Sequence, residues 1–217
     1  MPRFCSELFR RIEEYKNQYR IEVEVSYFEI YNEKIHDLLA VSSNEPLPNA
    51  KRATLRVREH PTWGPYVVDL STHAVGSHMA LRNWLAVGNS QRATAATGMN
   101  DKSSRSHSIF NVVLNIFNIN ALPNDNVQTK RSKISLVDLA GSERVSNTGI
   151  VAERLREGVS INKSLLTLGK VISTLTESKR SSTFVPYRES VLTWLLRVST
   201  YFDIVNVKGL GLTIAKY

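Results

Sequence analysis

Apolar and polar positions repeat along this chain with two periods, and the places where the period changes mark its elements. Phe4, Leu8, Ile12 and Tyr15 recur at spacings of four, four and three, which predicts an amphipathic helix over residues 4–17. From Ile21 the pattern becomes strict alternation, Ile21-Glu22-Val23-Glu24-Val25. It continues as Ser26-Tyr27-Phe28-Glu29-Ile30-Tyr31, predicting a strand that is half-buried first and more deeply buried later. Residues 42–52 form a polar loop with two prolines. Residues 54–68 hold short strand-like pieces broken by Pro61, Gly64 and Pro65, a hairpin projecting from the body.

Ser77 is a suitable N-cap for a helix carrying Leu81, Trp84 and Leu85 on one face and ending near Ser90. A polar loop follows over residues 93–107. Residues 108–119, rich in Ile, Val and Phe, are the longest strand candidate, and 123–131 form a turn. Ile134-Ser135-Leu136-Val137 is a short apolar run suited to a central strand, ending in Asp138-Leu139-Ala140-Gly141. Ile161, Leu165, Leu168, Ile172 and Leu175, spaced four, three, four and three, predict a strong amphipathic helix. Val191, Leu192, Leu195 and Leu196 predict a shorter one. Residues 198–217 mix aliphatic residues and glycines without sustained periodicity. No internal repeat or low-complexity tract appears. Strands alternating with long helical patterns imply an α/β domain with a mostly parallel or mixed sheet.

Composition narrows the class. The 217 residues are 42% hydrophobic and 22% charged, ordinary for a globular domain with a sizeable core. The one cysteine, Cys5, excludes an intramolecular disulfide framework and a cysteine-rich zinc site. No apolar run has the length of a membrane span, and no apolar stretch follows Met1-Pro2-Arg3-Phe4 as in a signal peptide. The expectation is a cytosolic or nuclear protein. A net charge of +8 favours an acidic partner: nucleic acid, an anionic membrane surface or an acidic protein polymer. No RNP aromatic pattern, zinc spacing or helix-turn-helix signature supports nucleic acid, and no G-x-S-x-G supports a serine hydrolase.

The chemistry concentrates in two stretches. Asn100-Asp101-Lys102-Ser103-Ser104-Arg105-Ser106-His107 offers closely spaced hydroxyls and a guanidinium, groups suited to phosphate and to completing a Mg²⁺ shell. Asp138-Leu139-Ala140-Gly141-Ser142-Glu143 follows the apolar strand. An aspartate at the carboxyl end of a buried strand is where P-loop nucleotide hydrolases hold Mg²⁺, often through water. A glycine three residues on lets a backbone N–H approach a terminal phosphate.

Together these stretches resemble the first and second switches of kinesin motor domains. Tyr27-Phe28-Glu29-Ile30-Tyr31-Asn32-Glu33 with Asp37-Leu38-Leu39, residues 161–169, and residues 186–196 (Pro-Tyr-Arg-Glu-Ser-Val-Leu-Thr-Trp-Leu-Leu) resemble further kinesin segments in family order. The similarity runs over residues 2–197, most closely to motors with the motor domain at the amino-terminal side, with the mitotic group as a candidate. It implies a partial kinesin motor domain over residues 1–197, a P-loop-NTPase-like α/β fold whose mixed central sheet is flanked by helices, and a divergent tail over 198–217.

The resemblance also implies roles, with ATP and Mg²⁺ as cofactors. Asn100, Ser103, Ser104, Asp138 and Gly141 would contact the nucleotide. Ser104 would ligate Mg²⁺ directly and Asp138 would hold it through water. Ser103 would position the attacking water or the terminal phosphate, and Gly141 would sense the γ-phosphate. Arg105 and Glu143 would pair across the switches and close the site, and Asn162 would steady the second switch. Arg154, Arg156, Lys163, Lys170, Tyr187 and Arg188 would meet the acidic surface of the microtubule, the implied partner. The implied location is the cytoplasm, on the microtubule cytoskeleton, with the spindle as a candidate.

Two departures qualify this. The family's G-x-x-x-x-G-K-[ST] is not in this sequence; the sole Gly-Lys pair, Gly169-Lys170, is followed by Val171 inside a predicted helix. The chain opens in what resembles the helix after that loop, so the fold is expected to miss the amino-terminal strands and the P-loop. After Arg197 the family's Leu-Gly-Gly turn, strand and final helix are not matched either, which points to an altered exon or gene model over a divergent tail. ATP binding is expected to be weak, hydrolysis negligible, and the chain prone to aggregate through unpaired sheet edges. The alternative reading is a non-catalytic microtubule-binding module.

Overall fold

The structure, a computed structural model, describes residues 2–40, 54–62, 64–94, 102–120, 130–141, 152–177, 184–197, 205–207 and 212–216. Helix α1 (Pro2–Glu14) leads into the long strand β1 (Tyr19–Tyr31), which turns directly into β2 (Lys34–Asp37). Asn32 and Glu33 make that turn with φ of 50° and 60°, the left-handed pair a tight two-residue hairpin needs. Strands β3 (Val57–His60) and β4 (Gly64–Val67) form the separate hairpin that the prolines and Gly64 predict; Gly64 takes φ 72° at its turn.

A two-residue strand β5 (His73–Ala74) precedes α2 (His78–Thr94). Ser77 caps α2 as expected, its hydroxyl accepting from the Ala80 N–H at 3.1 Å. A 3₁₀ turn (Lys102–Arg105) opens onto β6 (His107–Asn118), and β7 (Lys130–Asp138) follows. Then come α3 (Ala152–Glu177), a second 3₁₀ turn (Tyr187–Glu189) and α4 (Val191–Leu195). Helix α3 starts well before the apolar stripe that predicts it.

The main sheet runs β2-β1-β6-β7-β9-β8, with β5 also on β1. Every pairing among the described residues is antiparallel, where the alternating pattern led us to expect a parallel or mixed sheet. Connectivity accounts for one of these pairs: β1 turns into β2 through two residues, and so short a link joins only antiparallel neighbours. Strands β8 (Val205–Val207) and β9 (Leu212–Lys216) come from the tail that lacked periodicity. β9 lies along β7 from Ser132↔Lys216 to Leu136↔Leu212. β7 is therefore paired on both sides, with β6 and with β9.

The register Val25↔Val112↔Ile134 and Tyr27↔Phe110↔Leu136 puts these side chains on one face. They join Leu81 and Leu85 of α2, Cys5 of α1 and the partly buried Phe4, Leu8 and Ile12 in the larger core. Cys5 is buried there, and burial pushes its thiol pKa up, as for an inert structural cysteine. The opposite face carries Phe28, Ile30 and Ile109, covered by Leu192 and Leu195 of α4 with Leu168 of α3 and Val57 and Val67 of the hairpin.

Candidate functional site

The site forms where β6 begins and β7 ends. Antiparallel pairing sets Ser108 opposite Asp138, so the loop before β6 and the loop after β7 must leave the sheet side by side. They are joined directly: the Gly141 N–H donates to the Ser104 carbonyl at 2.9 Å. The two motifs that sequence singled out are thus one junction.

His107, the last residue of the first motif, holds that junction together. Its Nδ1 accepts from the Ala140 N–H at 3.0 Å, so the neutral ring carries its proton on Nε2. Nε2 lies 2.8 Å from the Ser164 hydroxyl on α3, which in turn donates to the Ile161 carbonyl at 2.7 Å. His107 is 3% exposed, and burial, reinforced by the Arg92 charge and opposed by Asp138, pushes its pKa down to about 4. Protonation would set an Nδ1–H against the Ala140 N–H, so a neutral ring is part of the architecture. One imidazole thereby connects the first loop, the second loop and the helix that follows them.

Arg92, in the last turn of α2, is the second connector. It donates to Asp138 Oδ2 at 2.5 Å, to the Ser108 hydroxyl at 3.1 Å and to the Ser106 carbonyl at 2.9 Å. Its side chain is 11% exposed while that of Asp138 is 63% exposed. The carboxylate expected to face Mg²⁺ is therefore open to solvent on one side and held by a guanidinium on the other. Sequence reading assigned no role to Arg92, His107 or Ser164. The available signal was slight: a basic residue near a helix C-terminus, and a histidine ending a motif.

Ser104 and Arg105 are partly buried on the 3₁₀ turn, and Ser103 belongs to the same turn. Asn100 and Glu143 lie outside the described residues, so the expected Arg105–Glu143 pair does too. Hydroxyl donors and one solvent-facing carboxylate suit a cation held largely through water and phosphate oxygens. Among the described residues no group of three His, Cys, Asp or Glu could hold a metal alone. Nor is any described helix long and apolar enough to cross a membrane.

The residues expected to meet the microtubule gather on α3 and the α4 approach. Lys163 is exposed, as is Asn162. Lys170 pairs with Glu189 at 3.2 Å, tying α3 to the second 3₁₀ turn. Arg188 pairs with Glu59 of the hairpin and lies 5.5 Å from the centre of the Trp194 ring; Arg197 joins the same carboxylate at 2.6 Å. The Arg188 hydrogen bond, with Arg197 nearby, holds the Glu59 carboxyl below its ordinary range. Tyr187 is partly buried and its hydroxyl pKa is raised by burial. The side chains of Arg154 and Arg156 are outside the described residues.

The kinesin motor domain profile covers residues 1–201. Kinesin-like protein KIF14 of Homo sapiens is 52% identical over 202 residues, covering 92% of this chain and 12% of that protein. Kinesin-like protein KIF13A of Homo sapiens is 51% identical over 201 residues, covering 91% and 11%. A solved KIF14 segment, with ADP and in complex with a microtubule, superposes with a TM-score of 0.77 at 52% identity over 90% of this chain and 54% of that one. A fast kinesin gives 0.73 at 40% identity, covering 90% and 51%. The chain thus spans about an eighth of the curated relatives' length and about half of the solved chains. With the profile spanning nearly all of it and relatives half identical to it, this chain belongs to the kinesin motor domain family.

Proposed function

We propose that this chain is the switch-and-track portion of a kinesin-like, ATP-dependent microtubule motor, with microtubules as its partner and the microtubule cytoskeleton of the cytoplasm, spindle included, as its location. The observation that supports the reading is the Gly141 N–H to Ser104 carbonyl bond, because it joins the two loops to which the reading gives nucleotide sensing. In that reading Ser104 ligates Mg²⁺, Asp138 holds it through water, and Ser103 and Asn100 contact the phosphates. Gly141 must exchange its Ser104 partner for a γ-phosphate oxygen. That exchange would move Ala140, hence His107 and Ser164, and so reach α3 through hydrogen bonds already present. Arg105 and Glu143 close the site, and Arg154, Arg156, Lys163, Lys170, Tyr187 and Arg188 face tubulin.

Hydrolysis by this chain alone is negligible in this reading, because P-loop amides and a P-loop lysine supply most direct phosphate binding. Two measurements test it. The purified chain should pellet with microtubules, less so as salt rises. Microtubule-stimulated phosphate release should stay far below the roughly 1 per second typical of enzymes. Turnover at that rate overturns the inactive reading; failure to pellet at low salt overturns the track-binding one. Pelleting that ATP and ADP leave unchanged identifies a passive microtubule-binding module instead.

A further inference from the structure

Away from the switches, the sheet face under α4 changes character. Ser26, Asn111 and Ser135 stand in one row across β1, β6 and β7, all buried. The Ser135 hydroxyl donates to Asn111 Oδ1 at 2.8 Å, and Asn111 Nδ2 donates to the Ser26 hydroxyl at 3.4 Å. Ser26 and Asn111 of this row line a cleft of about 470 Å³ between the sheet, the β3–β4 hairpin and Leu195. The volume is in the range of small-molecule sites.

The cleft is lopsided. Phe28, Val67, Leu70 and Leu195 supply apolar wall. Arg131 and Lys133, two apart on β7 and so on one face, supply cations, with His60 on the hairpin side. Burial, with the Arg131 charge adding to it, pushes the Lys133 amine down to about 8, although the residue keeps some exposure. The carboxylates nearest in register are Glu24, across β6 from Lys133, and Glu22, across β6 from Arg131; Glu22 is paired with Arg20 at 3.5 Å. Among the described residues no carboxylate forms an ion pair with Lys133. The floor's hydrogen-bonding groups largely satisfy one another, so an entering molecule finds its polar anchor at the Lys133 end and apolar contact elsewhere.

The geometry points to a binding site for an amphipathic monoanion, a carboxylic acid with an aliphatic or aryl body, its head on Lys133 beside Arg131 and its body along Phe28, Leu70 and Leu195. An anion there meets the poorly hydrated Lys133 ammonium, and a charge-assisted bond in a partly desolvated cleft is worth more than one on the surface. The site is independent of the nucleotide switches and does not rest on the motor reading.

Octanoate is the probe, titrated by calorimetry into the full 217-residue chain. Saturable binding with a Kd of about 1 mM or below is expected, and none for octylamine, which shares the tail but carries the wrong charge. In the chain with ¹³C-methylated lysines, octanoate should move the Lys133 resonance and raise its titration midpoint. Lys133→Met removes the charge at similar volume and so keeps the fold; it should weaken octanoate about tenfold or more. Thr72→Trp, at an exposed rim position, should block entry with Lys133 intact. Unchanged affinity in both variants, equal binding of octylamine, or no saturable binding below about 10 mM overturns the proposal.

Discussion

The two faces of the sheet share strands β1, β6 and β7 yet are built to different ends. On the α1–α2 side, Val23, Val25, Tyr27, Phe110, Val112, Ile134 and Leu136 are apolar along the whole ladder, and the buried cluster has thirteen members among the described residues. On the α3–α4 side the buried cluster has six, all but two of them on β1, β2 and β6 at the switch end, and the remainder of the face turns polar. The difference teaches where rigidity is placed. The side that carries no expected function is continuous core. The side that carries α3 is held by a smaller apolar cluster, surface ion pairs and the His107 contact. A helix meant to shift with a ligand would need that kind of support.

Leucine deletion breaks the comparison most severely. Leu81 and Leu192 are both fully buried, one under each face. Leu81→Ala should cost about 2–5 kcal/mol, because a continuous core cannot collapse onto the cavity. Leu192→Ala should fall at or below the lower end of that range, with faster amide exchange confined to α3 and α4. Denaturant titration of the two variants checks the order. Equal costs with global exchange in both would make the faces equivalent.

The next effect is a titration. His107 has a folded pKa near 4 against an ordinary value of 6.5. A group whose folded pKa is lowered binds more protons when unfolded throughout that window, so stability is lost as pH falls from about 6.5 to 4. The loss should approach about 3 kcal/mol below pH 4, since one unit corresponds to about 1.4 kcal/mol. Melting the native chain and His107→Asn between pH 7 and 4 tests this: the variant should start less stable and change less. Parallel pH curves would remove His107 from its assigned place at the junction.

Gly88 sharpens the contrast from the packed side. Glycine within a helix ordinarily costs about 1 kcal/mol against alanine, so Gly88→Ala would stabilise α2 if nothing opposed it. Here an added Cβ would stand 2.1 Å from Tyr27 Cδ1. That ring cannot move aside, being set edge-on to Phe110 at 5.3 Å with its hydroxyl 2.8 Å from Asn89 Oδ1. Overpacking should win, for a net loss of about 1–3 kcal/mol in denaturant unfolding. A stabilised variant would show a looser near face than the register implies.

These residues also show how far sequence reached. The alternation at 21–25 and the aliphatic run at 108–119 disclosed β1 and β6 because their period is local, and Ser77 disclosed the α2 start for the same reason. The two loops that meet at Ser104 and Gly141 stood out through their motifs. Arg92 was not, because its aim at Asp138 depends on how α2 lies across the sheet, which no periodicity in residues 78–94 encodes. Gly88 reads as a helix weakness until Tyr27 is seen against it. The tail strand β9 was hidden for a related reason: its partner, β7, is about 80 residues earlier in the chain, and strand pairing across that distance leaves no periodic mark within a five-residue segment.

The smallest expected effect concerns the exposed side of α3. Lys170 and Glu189 are both about half exposed and 3.2 Å apart, so the pair contributes at most a fraction of a kcal/mol to folding. Lys170→Ala should therefore leave the melting temperature within about 1–2 °C. If α3 is the track-facing helix, the same substitution should weaken microtubule co-sedimentation and lower its salt sensitivity, because a charge lost from an interface rim acts on association rather than on the fold. Lys16→Ala is the control: its partner Glu13 is equally exposed, but the pair lies beside α1, under the opposite face. Both variants should melt alike, and only Lys170→Ala should pellet less. Equal pelleting would place the track on some surface other than the one carrying α3.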